Sequence, residues 1–175
     1  MKCLNFKEAH VWLRPEIKIT ANNALTLPRR GKEISCELPT KPLPLFYLSA
    51  ELVKWFEMDH EILLWVQHYR GNFQMSMFDK LRVASGNKRS LSEAHGQTFN
   101  KFLQADVESA ASLSFLVMAF SWEGYLVGDS CESSVYIGDE YLNFSCDNQE
   151  QLTNALEMIN RFRMQIIRSS VALDT

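Results

Sequence analysis

The stretch EMDHEILLWVQHY, Glu57 to Tyr69, decides how this chain is read. It sets Glu57, Asp59, Glu61, His60 and His68 around the apolar run Ile62–Val66, so it could hold chemistry or simply carry core. Leu52, Trp55, Ile62, Trp65, Val66 and Tyr69 recur at helical spacing. Ser49 stands where an N-cap belongs, Glu51 falls in the first turn, and Gly71-Asn72 supplies a stop. The spacing predicts one helix over about 50–70. On it Lys54, Glu57, Glu61 and His68 form a narrow polar strip, and the apolar remainder calls for burial on more than one side. Asp59, His60 and Gln67 then need hydrogen-bond partners wherever they are covered.

As chemistry the stretch fails. His60-Glu61 would open an H-E-x-x-H zinc motif, but position 64 is leucine. On a helix His68 lies about 80° around and about 12 Å along from His60, too far for one metal. Glu57-x-x-His60 matches half of a di-iron element, and no second Glu-x-x-His exists in the chain. Ser85-Gly86-Asn87-Lys88 satisfies S-x-x-K without its S-D-N and K-T-G companions. There is no G-x-S-x-G, Walker loop or G-x-G-x-x-G, and DSCESSVYIGDE lacks calcium-loop spacing. No catalytic residue, metal ligand or cofactor is expected.

All five prolines lie at or before Pro44, with alternating stretches between them: EIKI at 16–19 and EISCEL at 33–38, where Ile34, Cys36 and Leu38 share a face. Residues 1–44 read as short strands and turns, and PTKPLPLF as an extended connector. Beyond the 50–70 helix, a short helix is expected at 77–84 and another over about 91–110. The latter starts from a Ser90/Glu93 capping box and shows Phe99, Phe102, Leu103 and Val107 on one side. LSFLVMAF at 113–120 has the length of a buried strand, and YLV at 125–127 continues the pattern. SSVYI and EYLNFSC flank Gly138-Asp139 as a hairpin, with Leu142, Phe144 and Cys146 on one face and Tyr141, Asn143 and Ser145 on the other. Centred there, the hairpin would set Cys131 opposite Cys146. A last helix over about 148–168 carries Leu152, Leu156, Ile159, Phe162 and Ile166. Runs of strands and helices, rather than alternation, predict an α+β fold: an antiparallel sheet from the N-terminal strands and 113–146, packed with three to four helices. The 175 residues suit one domain with no boundary or repeat: 1–44 strand and turn, 45–111 mainly helical, 112–146 strands, 147–170 helix.

Charge is the most informative feature. Net charge is −3, yet from Phe102 through Asn160 there is no Lys or Arg. Of the 21 acids, ten lie in that segment; the remaining 11 share the rest of the chain with all 18 basic residues. The basic residues cluster at Arg29, Arg30 and Lys32 and at Lys80, Arg82, Lys88 and Arg89, without interleaved aromatics. Phosphates would be repelled by the acidic segment, so nucleic acid is not an expected partner. No secretory pattern is visible at the N-terminus, no apolar run spans a bilayer, and Cys3, Cys36, Cys131 and Cys146 lack C-x-x-C spacing; free thiols in a reducing cytoplasm are expected.

The functional expectation is a cytoplasmic, non-enzymatic protein-binding module, such as an acidic inhibitor or immunity-type protein, that takes a basic partner on the 123–150 strands and loops. Trp122, Glu123, Tyr125, Asp129, Glu132, Asp139 and Glu140 are its expected contact residues, with Trp122 and Tyr125 as aromatic anchors. The alternative is a small hydrolase or metal-dependent enzyme using His60, His68 or His95 with nearby carboxylates.

Overall fold

A computed structural model of the chain describes residues 1–20, 22–28, 31–56, 58–68, 72–84, 89 and 95–170. In chain order the elements begin with strand β1 (Lys2–Leu4), helix α1 (Phe6–Trp12), the short strands β2 (Lys18–Ile19) and β3 (Leu25–Thr26), and strand β4 (Lys32–Glu37). Helix α2 (Pro42–Trp55), strand β5 (Glu61–His68), helix α3 (Asn72–Ala84), strand β6 (Gly96–Asn100) and helix α4 (Gln104–Ala119) follow. Strands β7 (Glu123–Gly128), β8 (Ser133–Ile137) and β9 (Tyr141–Cys146), helix α5 (Gln149–Arg161) and strand β10 (Ile166–Ser169) complete the fold. Eight strands form one sheet in the order β1-β6-β5-β7-β8-β9-β4-β10, every neighbour antiparallel, while β2 and β3 pair apart. This is the α+β class that the runs of elements predict.

The decisive stretch is a strand, not a helix. Ile62, Leu63, Leu64, Trp65 and Val66 are all fully buried, because β5 lies in mid-sheet with a core on each side. Ile62, Leu64 and Val66 join the larger core under the helices; Leu63 and Trp65 join a second core beneath the N-terminal segment. Two-sided burial makes the run continuous and erases the period-2 signal, which leaves a spacing a helix also fits. Glu57, Tyr69 and Gly71 lie outside the described residues.

Helix α2 begins eight residues earlier than expected, at Pro42. Pro42 and Pro44 fall in its first turn, where a missing N–H costs nothing because that N–H has no intrahelical partner. Ser49 is therefore not a cap but a buried interior residue whose hydroxyl donates to Phe46 O at 2.7 Å. LSFLVMAF belongs to α4, with Leu113, Leu116, Val117 and Met118 buried and Phe115 against Phe46 on α2. Of the helix expected over 91–110, the described residues instead form β6 followed by the start of α4. Phe99 is in the core, and Phe102 and Leu103 stand exposed between the two elements. The Ser90/Glu93 capping box, Ser85–Lys88, Arg29, Arg30 and the 171–175 tail lie outside the described residues.

The N-terminal segment holds a helix that the strand-and-turn reading misses. In α1 Asn5 and Glu8 form a reciprocal capping box, Glu8 N to Asn5 Oδ1 at 3.0 Å and Asn5 N to Glu8 Oε2 at 2.8 Å. The β8–β9 hairpin forms, but Gly138 N donates to Tyr141 O, so Asp139 and Glu140 are its turn. That register sets Ser133, not Cys131, opposite Cys146, and all four cysteines are free and buried. The last helix stops at Arg161; Ile166 and Arg168 belong to β10, which pairs with β4. Among the described residues no helix is long and apolar enough to cross a membrane.

Candidate functional site

The two faces of the sheet have different cover. On one, α2, α4 and α5 bury Ile34, Ile62, Leu126, Val135 and Phe144. On the other, α1 and the β2–β3 hairpin cover β5 and part of β7, through Ala9, Leu13, Ile17 and Leu25. This second cover stops short of β8, β9 and β4, and the polar face they present bounds a groove of about 400 Å³.

Pairing builds that face in rows. Trp65, Tyr125, Tyr136, Asn143, Ser35 and Arg168 are successive cross-strand partners from β5 to β10. The rings of Tyr125 and Tyr136 lie 4.9 Å apart, and Tyr136 and Tyr141 5.5 Å apart. A Cβ on Gly138 would stand 2.7 Å from the Tyr141 ring, so glycine is what lets that ring close over the strand end. The Tyr136 hydroxyl donates to Glu123 Oε2 at 3.0 Å, and the same oxygen lies 3.1 Å from His68 Nδ1. Gln67 follows Trp65 onto this face by strand alternation, and its Oε1 accepts from Leu25 N at 3.2 Å, tying down the hairpin; the register shift between Val66 and His68 then sets His68 opposite Glu123.

Burial, then the adjoining Glu123 carboxylate, pushes the Tyr136 phenol far above its ordinary range; burial likewise raises Tyr125. Both stay protonated near neutrality, so the row offers phenolic donors and ring faces rather than nucleophiles.

The seven expected contact residues separate into three groups. Glu123, Asp139 and Glu140 share one end of the sheet with Tyr125, Tyr136 and Tyr141, because Gly124 pairs with Ile137 and the Asp139–Glu140 turn follows directly. Asp129 and Glu132 lie in the turn at the opposite end. Asp129 accepts from His60 N and Glu61 N at 3.3 Å each, and Glu132 comes within 4.0 Å of Arg14. Trp122 is fully buried between Phe78 and Phe120 and offers no ring at the surface. Tyr136, Tyr141 and Asn143 were not among the expected contacts; their signal was the non-core alternation of the hairpin.

Nor do the ten acids of 102–160 share a face. Asp106 pairs with the Met1 amino group, Asp147 accepts from Gly31 N at 2.9 Å, and Glu108 and Glu157 are exposed on α4 and α5. The turn of Asp129 also rests on Asp59, which accepts from Ser130 N at 2.9 Å and Ser133 Oγ at 3.2 Å. Burial pushes the Asp59 carboxyl up against these hydrogen bonds, and neighbouring Asp129 adds to the rise.

The three histidines of the enzymatic alternative each have a different partner, His68 the Glu123 carboxylate. His60 is exposed and lies 5.4 Å from the Phe102 ring; in extended chain it is about 26 Å from His68, farther than the helical reading implied. His95 lies 3.2 Å from Asn23 Nδ2 and 3.3 Å from Val66 O. No group of three His, Cys, Asp or Glu able to hold a metal occurs among the described residues.

Burial lowers the His95 pKa below 6.5, so the unfolded chain takes up this proton first as pH falls. The stability that neutral His95 contributes is therefore complete above about pH 6.5 and lost as pH drops through its folded value. Asp59, raised in the fold, works in the opposite direction, so the variant difference is the quantity to measure. The stability gap between wild type and His95→Gln should narrow from about pH 7.5 to about pH 5.5 in urea titrations; a constant gap would show that His95 does not titrate differently on folding.

Compared with protein-family models, curated proteins and solved structures, the chain matches none.

Proposed function

We propose that this chain is a non-enzymatic protein-binding module that engages a basic partner through the open sheet face. The observation that carries the reading is the juxtaposition of Tyr125, Tyr136 and Tyr141 with Glu123, Asp139 and Glu140 at one end of the sheet. Tyrosines supply contact area at low entropic cost, and carboxylates around them attract and orient a basic surface. An acidic inhibitor or immunity-type protein is the functional class this chemistry serves. Four buried free thiols are in keeping with a reducing compartment, the cytoplasm.

The test compares acids by position. Asp139→Lys with Glu140→Lys should weaken partner capture about tenfold or more, roughly 1.4 kcal/mol, and reduce its sensitivity to salt. Glu108→Lys with Glu157→Lys reverses as much charge on the exposed helices and should leave capture within about twofold. Equal loss in both pairs would mean that only net charge matters and would overturn the sheet-face assignment.

A further inference from the structure

Beside the tyrosine row, and sharing Tyr141 with it, lies a second and larger cleft of about 590 Å³ where the end of the sheet meets the helical layer. Its walls come from the exit of β4, the start of α2, the end of α4, the β8–β9 turn and β10. Its chemistry is two-sided. Leu38, Leu45 and Met118 give it an apolar lining, and Ile167 adds a side chain that is 57% exposed. The register of β10 shifts between Ile166 and Arg168, leaving Ile167 as the extra residue that lines the cleft. Around this lining stand the carboxylates of Glu37, Asp139 and Glu140, all on exposed residues. No Lys, Arg or His is among the described lining residues; Lys41, next along the chain, caps α2 outside it.

An apolar lining with carboxylates beside it fits a side chain built the same way: a long hydrocarbon stem ending in a cation. Such a stem gains by covering Ile167 and Met118 while its charge stays with the acids. Arginine suits this better than lysine, because its planar guanidinium is less strongly hydrated and can engage two carboxylate oxygens at once. The volume exceeds one side chain and falls within the roughly 300–1,000 Å³ range of ligand sites, leaving room for an apolar neighbour.

We infer that this cleft receives an arginine side chain and an adjacent bulky apolar residue from the partner. The inference rests on the protein-binding reading and gives that partner a local chemistry: a protruding Arg-Leu type segment beside the surface that meets the tyrosines.

The probe is the blocked peptide acetyl-Arg-Leu-Arg-Leu-amide, titrated into the full chain with the methyl resonances of Leu45, Met118 and Ile167 followed by NMR. These methyls should shift and saturate, and acetyl-Glu-Leu-Glu-Leu-amide should move none of them. Glu37→Gln with Glu140→Gln should weaken binding at least about fivefold with an unchanged melting temperature. Ile167→Ser, made separately on an exposed side chain, should weaken it without altering the charge. Absence of cleft shifts, equal shifts with the glutamate peptide, or unchanged affinity in both variants would overturn the inference. Shifts confined to Tyr125, Tyr136 and Asn143 would overturn the cleft and leave the sheet-face reading standing. Saturable cleft shifts in a chain that shows no salt-sensitive capture would support the cleft and count against that reading.

Discussion

Trp65→Ala should lower the unfolding free energy by about 3–5 kcal/mol, a large share of the roughly 5–15 kcal/mol typical of a folded domain. Trp65 is fully buried on β5, and its indole Nε1 donates to Asn23 O at 2.6 Å. The substitution removes a large ring from the second core and also leaves that carbonyl without its donor. Leu4, Leu13, Ile17 and Leu25 all belong to the same cluster, so the α1–β3 segment should loosen first. Limited proteolysis should cut faster within residues 5–28 than in α2 or α4. If urea titration shows a loss below about 1 kcal/mol, the N-terminal segment is not held by this core.

Gly124→Ala should be nearly as damaging, at the upper end of the about 1–3 kcal/mol expected for overpacking. A Cβ at this position would stand 2.7 Å from the Trp65 carbonyl oxygen and 3.5 Å from Val66 Cα. The obstacle is the backbone of the neighbouring strand, so no rotamer change relieves it. Gly124 also sits where β5 and β7 pair, next to the register shift that sets His68 opposite Glu123. The variant should therefore combine a lower melting temperature with slower recovery of the native spectrum on refolding. An unchanged melting temperature would contradict the close approach of these strands.

Which parts of this fold were legible depended on how many faces each element buries. In β4 and β9 one face is core and the other polar, so Ile34 and Cys36, or Leu142, Phe144 and Cys146, alternate visibly with their neighbours. In β5 the apolar run Ile62–Val66 is unbroken, and so is Phe115–Ala119 in α4. Periodicity then carries no information about the element, and each run fits the pattern of the other, the strand that of a helix and the helix that of a strand. The prolines misled for a different reason: they disfavour a helix interior but suit the first turn that α2 makes of Pro42 and Pro44. Charge was legible as a segment but not as a surface. Topology sends Asp129 and Glu132 to one end of the sheet and Glu123, Asp139 and Glu140 to the other, and only pairing register shows which share a neighbourhood. Trp122 and Tyr125, three residues apart, part in the same way: one fills the core and the other lines the groove.

The proposed function puts a basic partner on the tyrosine face and not on the acidic segment at large. Photo-cross-linking tests it most directly, with p-benzoylphenylalanine in place of Tyr141, 39% exposed on the wall between groove and cleft, and separately in place of Phe102, 73% exposed ahead of α4. Position 141 should cross-link to a basic protein segment, the yield should fall with added salt and with Asp139→Lys/Glu140→Lys, and position 102 should give no such product. Equal products at both positions, products from 102 alone, or a salt-insensitive attachment to an acidic segment would contradict it.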